Sequence, residues 1–298
     1  MISSSGHEKR LTVGILSPSS PVNVPDFELG LRTLHRLGFE TVLGSHVYRR
    51  NGHLAGTDNE RADDIFRLYS DPDVDIIWSS RGGSSSCRIL EPLPWALMQA
   101  MPKKSIVGYS DVTSLLVAFD QLLGVNTIHG PMVSELGHLS EIVLGWILKL
   151  VTTPEICAPI PARFAQVLLH GKAIGTLTGG CLSLLAASVG TPFAPDFDDR
   201  IVFMEDIDSQ PWQIERDLWQ LGSAGLLSKA AAFIVGEATN TDDADTLPIR
   251  QIWSEMLLPY NKPTVLGFEA GHIPRNFALP FGRCAQLDTQ SGILSLLK

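Results

Sequence analysis

The sequence predicts an α/β protein: a parallel-sheet domain over residues 1–150, a linker over 151–170 and a second domain over 171–298. Three observations carry this. Short β-type apolar runs alternate with helical spacing from Thr12 onward, and β-α-β order is the signature of a parallel sheet. A chain of 298 residues is long for one domain and natural for two. Beyond Leu139 the alternation weakens, and Pro154, Pro159 and Pro161 then read as a crossing segment.

The elements follow in order. Leu11–Leu16 is a strand that ends in the turn-forming loop Ser17–Pro21. Phe27, Leu29, Leu31, Leu34 and Leu37 recur at helical spacing over 25–37, and Gly38 suits the stop. Glu40–Leu43 is the next strand. Residues 58–69 form a helix with acidic groups in its first turns, where the helix dipole favours them. Val74–Trp78 is a strand running into the loop 79–87. A helix is expected over 88–101, disturbed at its start by Pro92 and Pro94. A short run ending at Gly108 turns at Ser110 into a helix from about Asp111. Val125–Ile128 is a strand and 141–151 a helix.

The second domain begins with short-strand and turn material over 171–180 and a short helix over 182–189. Strands are expected over 200–206, 231–236 and 264–267, and helices over 214–221 and 249–258. Two alternating strands, beginning at Cys284 and at Gly292, close the chain.

Composition excludes several classes. Net charge is -9, with the acids scattered and no dense Lys/Arg face, which argues against nucleic acid as a partner. No apolar stretch reaches the length of a membrane span, and no apolar signal core precedes the first strand. Cys87, Cys157, Cys181 and Cys284 are far apart with no C-x-x-C pair. The expectation is a cytoplasmic, reduced protein without zinc or membrane contact.

In a parallel sheet, ligands gather outside the carboxyl ends of the strands. Four segments fall there: Ser17–Ser20, Arg81–Gly83, Ser110 with Asp111, and His129 with Gly130. A serine at a strand-to-helix corner is pushed out of the surface, with free amides beside it that can donate to an oxyanion. Ser110 reads equally as a helix cap. Gly108 to Val112 also lacks the second glycine of the G-x-S-x-G elbow. Gly82 and Gly83 can bring backbone amides close to a ligand, or simply turn the chain. Arg81 can grip a carboxylate through its fork, or form a structural ion pair. A serine nucleophile needs a base and a group to orient it. By residue type His272, set between Gly271 and Ile273-Pro274, is one candidate and His129 its rival. Glu205, Asp206, Glu237 and Glu269 are candidate orienting acids. Glu205 and Asp206 are neighbours on a strand, so only one can face a given cleft.

These residues, taken together, resemble the LD-carboxypeptidase family of serine peptidases, which also includes the microcin C immunity peptidases. The resemblance runs from about Thr12 to Gly282. It is carried by Pro18–Ser20, His53–Thr57 with Arg61, Arg81–Gly83, Gly108–Asp111, His129–Met132, Gly179 and Gly180, Gly190–Pro192, Glu205 with Asp206, Gly271 with His272, and Leu279–Gly282. It implies a Rossmann-like N-terminal domain carrying Ser110 as nucleophile. A smaller C-terminal α/β domain carries Glu205 as orienting acid and His272 as base. Oxyanion donors are implied from the amides of Gly83 and Asp111, and a homodimer is implied. No metal or organic cofactor is expected.

The expected substrate is a small peptide, a murein tetrapeptide losing its terminal D-alanine, with Arg81 holding the terminal carboxylate. A peptidyl-nucleotide such as processed microcin C is the alternative, for which Trp212 is a candidate stacking residue. A non-catalytic small-molecule-binding protein is the reading from another class. The chain departs from the family pattern at Ser84 and Ser85 (commonly Tyr-Gly), Cys181 (commonly Asn) and Trp212 (commonly Tyr). Ser84 is expected beside the oxyanion site, where the change bears on substrate preference. The segment between Ser110 and Glu205 is shorter than in the microcin branch, which favours the carboxypeptidase reading.

Overall fold

Within the described residues 10–241 and 247–298 of the computed structural model, thirteen strands fall into two sheets. The first is built from β1 (Thr12–Leu16), β2 (Glu40–Leu43), β3 (Ile76–Ser79), β4 (Ile106–Gly108) and β5 (Thr127–His129), all parallel, in the order 5-4-3-1-2. The chain direction across the sheet reverses between β1 and β3, and crevices at such switch points are where α/β sheets bind ligands. Helices α1 (Val24–Arg36) and α2 (Asp58–Ser70) form the first crossovers. Both start as their sequences dictate. Asn23 caps α1, while Thr57 and Glu60 make a reciprocal capping box on α2.

After α3 (Trp95–Gln99), α4 (Thr113–Ala118) and α5 (Glu141–Thr152), the second sheet begins. It contains β6 (Gln166–Leu169), β7 (Lys172–Cys181), β8 (Arg200–Ile207), β9 (Ala232–Thr239) and β10 (Thr264–Leu266). Strands β7 to β10 are parallel, with β6 antiparallel at one edge. Helices α6 (Leu182–Ala187), α7 (Pro211–Ser223), α8 (Leu226–Lys229) and α9 (Ile249–Leu257) complete this lobe. The chain then returns to the first sheet, where β11 (Leu279–Phe281) pairs antiparallel with β5. It ends back in the second sheet as β12 (Cys284–Asp288) and β13 (Ile293–Leu296).

Strand alternation explains which way β8 presents its residues. Ile201 and Phe203 belong to an apolar core continuous with the first lobe, which includes Val107 and Ile128. Val202 and Met204 face a second core with Leu182, Ile214, Leu218 and Ile252. Glu205 therefore continues the face that looks toward the first lobe, and Asp206 the opposite one.

Several expectations change. The segment 151–170 holds strand β6 and does not run as bare linker. Helix 88–101 is only α3 preceded by a short tight turn at Ser86–Ile89, because Pro92 and Pro94 interrupt it. The short-strand and turn material expected over 171–180 falls within one ten-residue strand, Lys172–Cys181, in which Gly175 and Gly179 lie close to neighbouring backbone. The helix after Ser110 starts with a 3-10 turn, Ser110–Val112, before α4. Among the described residues no helix is long and apolar enough to cross a membrane.

Candidate active site

Ser110 stands where β4 ends, and its φ of 61° puts a non-glycine residue in the left-handed region. That conformation costs about 1–2 kcal/mol for an L-residue, so the surroundings must hold it. They do so through Asp111, whose buried carboxylate accepts from Ser19 Oγ at 2.5 Å and from the Ser86 amide at 2.8 Å. Ser86 Oγ in turn donates to the Asp111 carbonyl. The fully enclosed guanidinium of Arg61 donates to the Pro18 and Ser85 carbonyls and to Asp58. The loops after β1 and β3 are thus tied to the corner after β4 by buried polar contacts, which are costly to leave unpaired.

The β3 loop lies directly against the serine. A methyl group on Gly82 would sit 3.1 Å from Ser110 Oγ. The next amide, that of Gly83, donates to no protein group among the described residues. Arg81 donates to the carbonyls of Gly82 at 3.2 Å and Pro21 at 3.4 Å, and among the described residues no carboxylate lies within ion-pair distance of it. Arg81, Gly82, Gly83, Ser110 and His272 line one cleft of about 780 Å³.

His272 reaches this cleft from the loop between β10 and β11. Its Nδ1 lies 2.7 Å from Glu205 Oε2, and its amide donates to the same oxygen at 3.3 Å. Glu205 is fully buried. Gly271 permits the approach: its φ is +102°, and a side chain there would meet Glu205 Oε2 at 2.6 Å. Burial works to lower the His272 pKa. The hydrogen bond and charge of Glu205, joined by Glu135 and Asp206, outweigh it and hold the imidazole above its ordinary value. Burial raises the Glu205 carboxyl, against the opposing pull of His272. The paired nitrogen is Nδ1, which leaves Nε2 as the ring's remaining proton acceptor.

The other candidates are placed elsewhere. Asp206 accepts from the Ser183 and Ile207 amides and Ser209 Oγ, as its opposite face requires. Glu269 pairs with Arg275, and Glu237 lies 3.9 Å from Arg250. His129 is enclosed by Tyr109, Phe203 and Phe281, with neither ring nitrogen bonded. Burial, then the His272 charge, lowers its pKa to about 3, and His129 does not line the cleft. Ser84 is not among the residues lining the cleft. Trp212 is also outside it, 55% exposed on α7 and stacked with Arg216 at 5.3 Å.

The sequence reading missed a pair beside the imidazole. The Tyr109 ring centre is 4.8 Å from that of His272, and its hydroxyl donates to Glu135 at 2.7 Å. Glu135 also accepts from the Met132 amide at 2.8 Å, and burial raises its carboxyl. Only the place of Tyr109 beside Ser110 pointed there. His46, Asp63 and Asp64 bring possible metal-ligand atoms within 4.8 Å of one another. Asp64, however, is already engaged by the Ser45 and His46 amides, and fastens the loop after β2 to α2.

Comparison with known proteins agrees with this architecture. Residues 13–130 match the LD-carboxypeptidase N-terminal domain and residues 174–287 the LD-carboxypeptidase C-terminal domain. The chain is 33% identical to the probable murein peptide carboxypeptidase of Bacillus subtilis, over 93% of this chain and 89% of the relative. It superposes on the muramoyltetrapeptide carboxypeptidase of Oxalobacter formigenes with a TM-score of 0.85 at 29% identity, covering 96% of this chain and 97% of the other. It superposes equally on MccF in complex with glutamyl sulfamoyl guanosine, with a TM-score of 0.87 at 25% identity, covering 97% and 96%. With both halves of the family matched in order and a relative aligned over nearly its full length, the chain belongs to the LD-carboxypeptidase family of serine peptidases and is a hydrolase.

Proposed function

We propose that this enzyme releases the C-terminal D-alanine of murein tetrapeptide in peptidoglycan recycling, through Ser110, Glu205 and His272. The observation that carries the reading is the 2.7 Å pair of His272 and buried Glu205 on the same cleft as the left-handed Ser110. Ser110 Oγ attacks the carbonyl of the third residue, and its proton passes to His272 Nε2. Glu205 keeps the Nδ1 proton in place and stabilises the imidazolium that forms. The tetrahedral oxyanion takes the amides of Gly83 and Asp111, each worth about 3 kcal/mol in sites of this kind. His272 then protonates the departing D-alanine amine, and water repeats the sequence on the acyl-enzyme. Arg81, bonded only to carbonyls, is free to hold the terminal carboxylate. Asp26 and Asp208 on the cleft wall suit the free ammonium of a diamino third residue.

The peptidyl-nucleotide reading loses its stacking candidate, because Trp212 lies outside the cleft. The division into domains at 150 and 171, the homodimer and the cytoplasmic setting belong to the same proposal. Sedimentation at micromolar concentration tests the dimer. The main test is D-alanine release from purified tetrapeptide. Ser110→Ala and His272→Ala each lower kcat by a factor on the order of 10⁴ or more. Full activity in Ser110→Ala, or intact tetrapeptide alongside cleavage of a peptidyl-nucleotide, would overturn the reading.

A further inference from the structure

The serine sits on one lobe and the Glu205–His272 pair on the other, so their separation depends on how the lobes meet. Near the site, the Thr113 side chain joins them by a hydrogen bond. Thr113, the first residue of α4, is buried, and its amide donates to the Ser110 carbonyl. Its hydroxyl oxygen accepts from the Cys181 amide at 3.0 Å, across the lobe boundary. Cys181 ends β7 and is the register partner of Glu205 on β8. The path from nucleophile to orienting acid is therefore Ser110, Thr113, Cys181, Glu205, hydrogen-bonded at its first two steps and in parallel strand register at the last. The approach is tight. Gly180 has φ +136°, and a side chain there would meet Thr113 Oγ1 at 2.6 Å and Cγ2 at 2.5 Å. An ionic bridge between the lobes, Arg200 with Asp120 at 2.6 Å, lies at the far end of β8. It is too distant along the strand to set the reacting groups to a fraction of an ångström.

We infer that Thr113 is a positioning residue for the reaction: its hydroxyl, by accepting from the Cys181 amide, sets the distance between Ser110 and His272. The inference rests on the triad proposed above. It distinguishes the hydroxyl from mere bulk, because Val has the shape of Thr and leaves the Cys181 amide buried without a partner. Misplacement of reacting groups by about 1 Å costs on the order of a hundredfold in rate, and the loss is expected on kcat, since Thr113 does not line the cleft.

The experiment uses the full chain and two readouts: tetrapeptide turnover, and covalent labelling of Ser110 by a fluorophosphonate, which reports nucleophile activation whatever the natural substrate. In Thr113→Val both kcat and the labelling rate fall by at least about tenfold, while KM stays within about twofold. Thr113→Ser keeps the hydroxyl and restores both rates to within about threefold of native. Thr113→Ala, which removes the hydroxyl without adding a methyl at its place, gives the same loss as Val and serves if the Val variant does not fold. Native labelling and kcat in Thr113→Val or Thr113→Ala overturns the inference, as does a Ser variant as impaired as the others. If the native chain itself takes no label at Ser110, the triad reading falls, and the inference with it.

Discussion

The two halves of the site are held in different ways. The Ser110 corner is embedded in a network from four segments, with Asp111, Ser19, Ser86 and Arg61 all buried, Ser19 and Ser86 bonded to Asp111 and Arg61 to the Pro18 and Ser85 carbonyls beside them. The His272 loop is anchored by one carboxylate, Glu205, and by Asn276, which accepts from the Gly271 amide at 2.9 Å. Nucleophile geometry is thus written into the sheet and shared among many contacts. Base geometry rests on fewer polar contacts, chief among them the pair with Glu205. Damage to the first half costs stability before activity, and damage to the second costs activity before stability.

Substitutions that separate these outcomes test the contrast. The largest effect is expected from Glu205→Gln, which lowers kcat by roughly 10³–10⁴ by removing the charge that orients and supports His272. The pH profile adds a sign. The base works deprotonated, and Glu205 favours the protonated form, so native kcat/KM rises with pH through an apparent pKa above the ordinary imidazole value of about 6.5. In Glu205→Gln that limb moves to lower pH. An unmoved limb breaks the assignment.

Asp111→Ala comes next. It leaves the Ser19 hydroxyl and Ser86 amide buried without their acceptor, at about 1–3 kcal/mol for each group. Thermal or urea unfolding reads this as a lowered midpoint, and the contrast fails if stability is unchanged while kcat collapses. Arg81→Ala is smaller: KM rises about tenfold, as expected for one lost charge-assisted contact to a carboxylate, with kcat nearly kept. Trp212→Ala is the smallest, with tetrapeptide turnover within about twofold of native, since exposed surface changes away from a site are nearly neutral. A tenfold change there would return Trp212 to the substrate path.

Much of this was legible in the sequence because it rests on local rules. Short apolar runs marked β1 to β5. Apolar spacing over 25–37 and first-turn acids over 58–69 marked two helices. Glu205 and Asp206, as strand neighbours, had to face opposite ways, and the structure puts Glu205 on the His272 side. What stayed hidden depends on long-range pairing. Gln166–Leu169 and Leu279–Phe281 are short, and the second contains Pro280, which argues against a strand until an edge position is known to be available. Neither Ser84, although it follows Gly83 in the chain, nor Trp212 lines the cleft. Glu135 carries no motif, and the relation of Tyr109 and Glu135 to His272 needs three separate elements brought together.

A ribosome delivering this chain from its N-terminus completes β5 long before its partner Leu279–Phe281 exists. At ordinary synthesis rates the interval is on the order of ten seconds. Throughout it the serine-bearing sheet presents an unpaired strand edge, the feature most prone to wrong association. His129, buried in the finished protein against Phe203 and Phe281, meets both of those rings only after they too are made. The first lobe therefore matures last as well as first. Truncation before Leu279 opens an edge in it although none of its other strands has been lost.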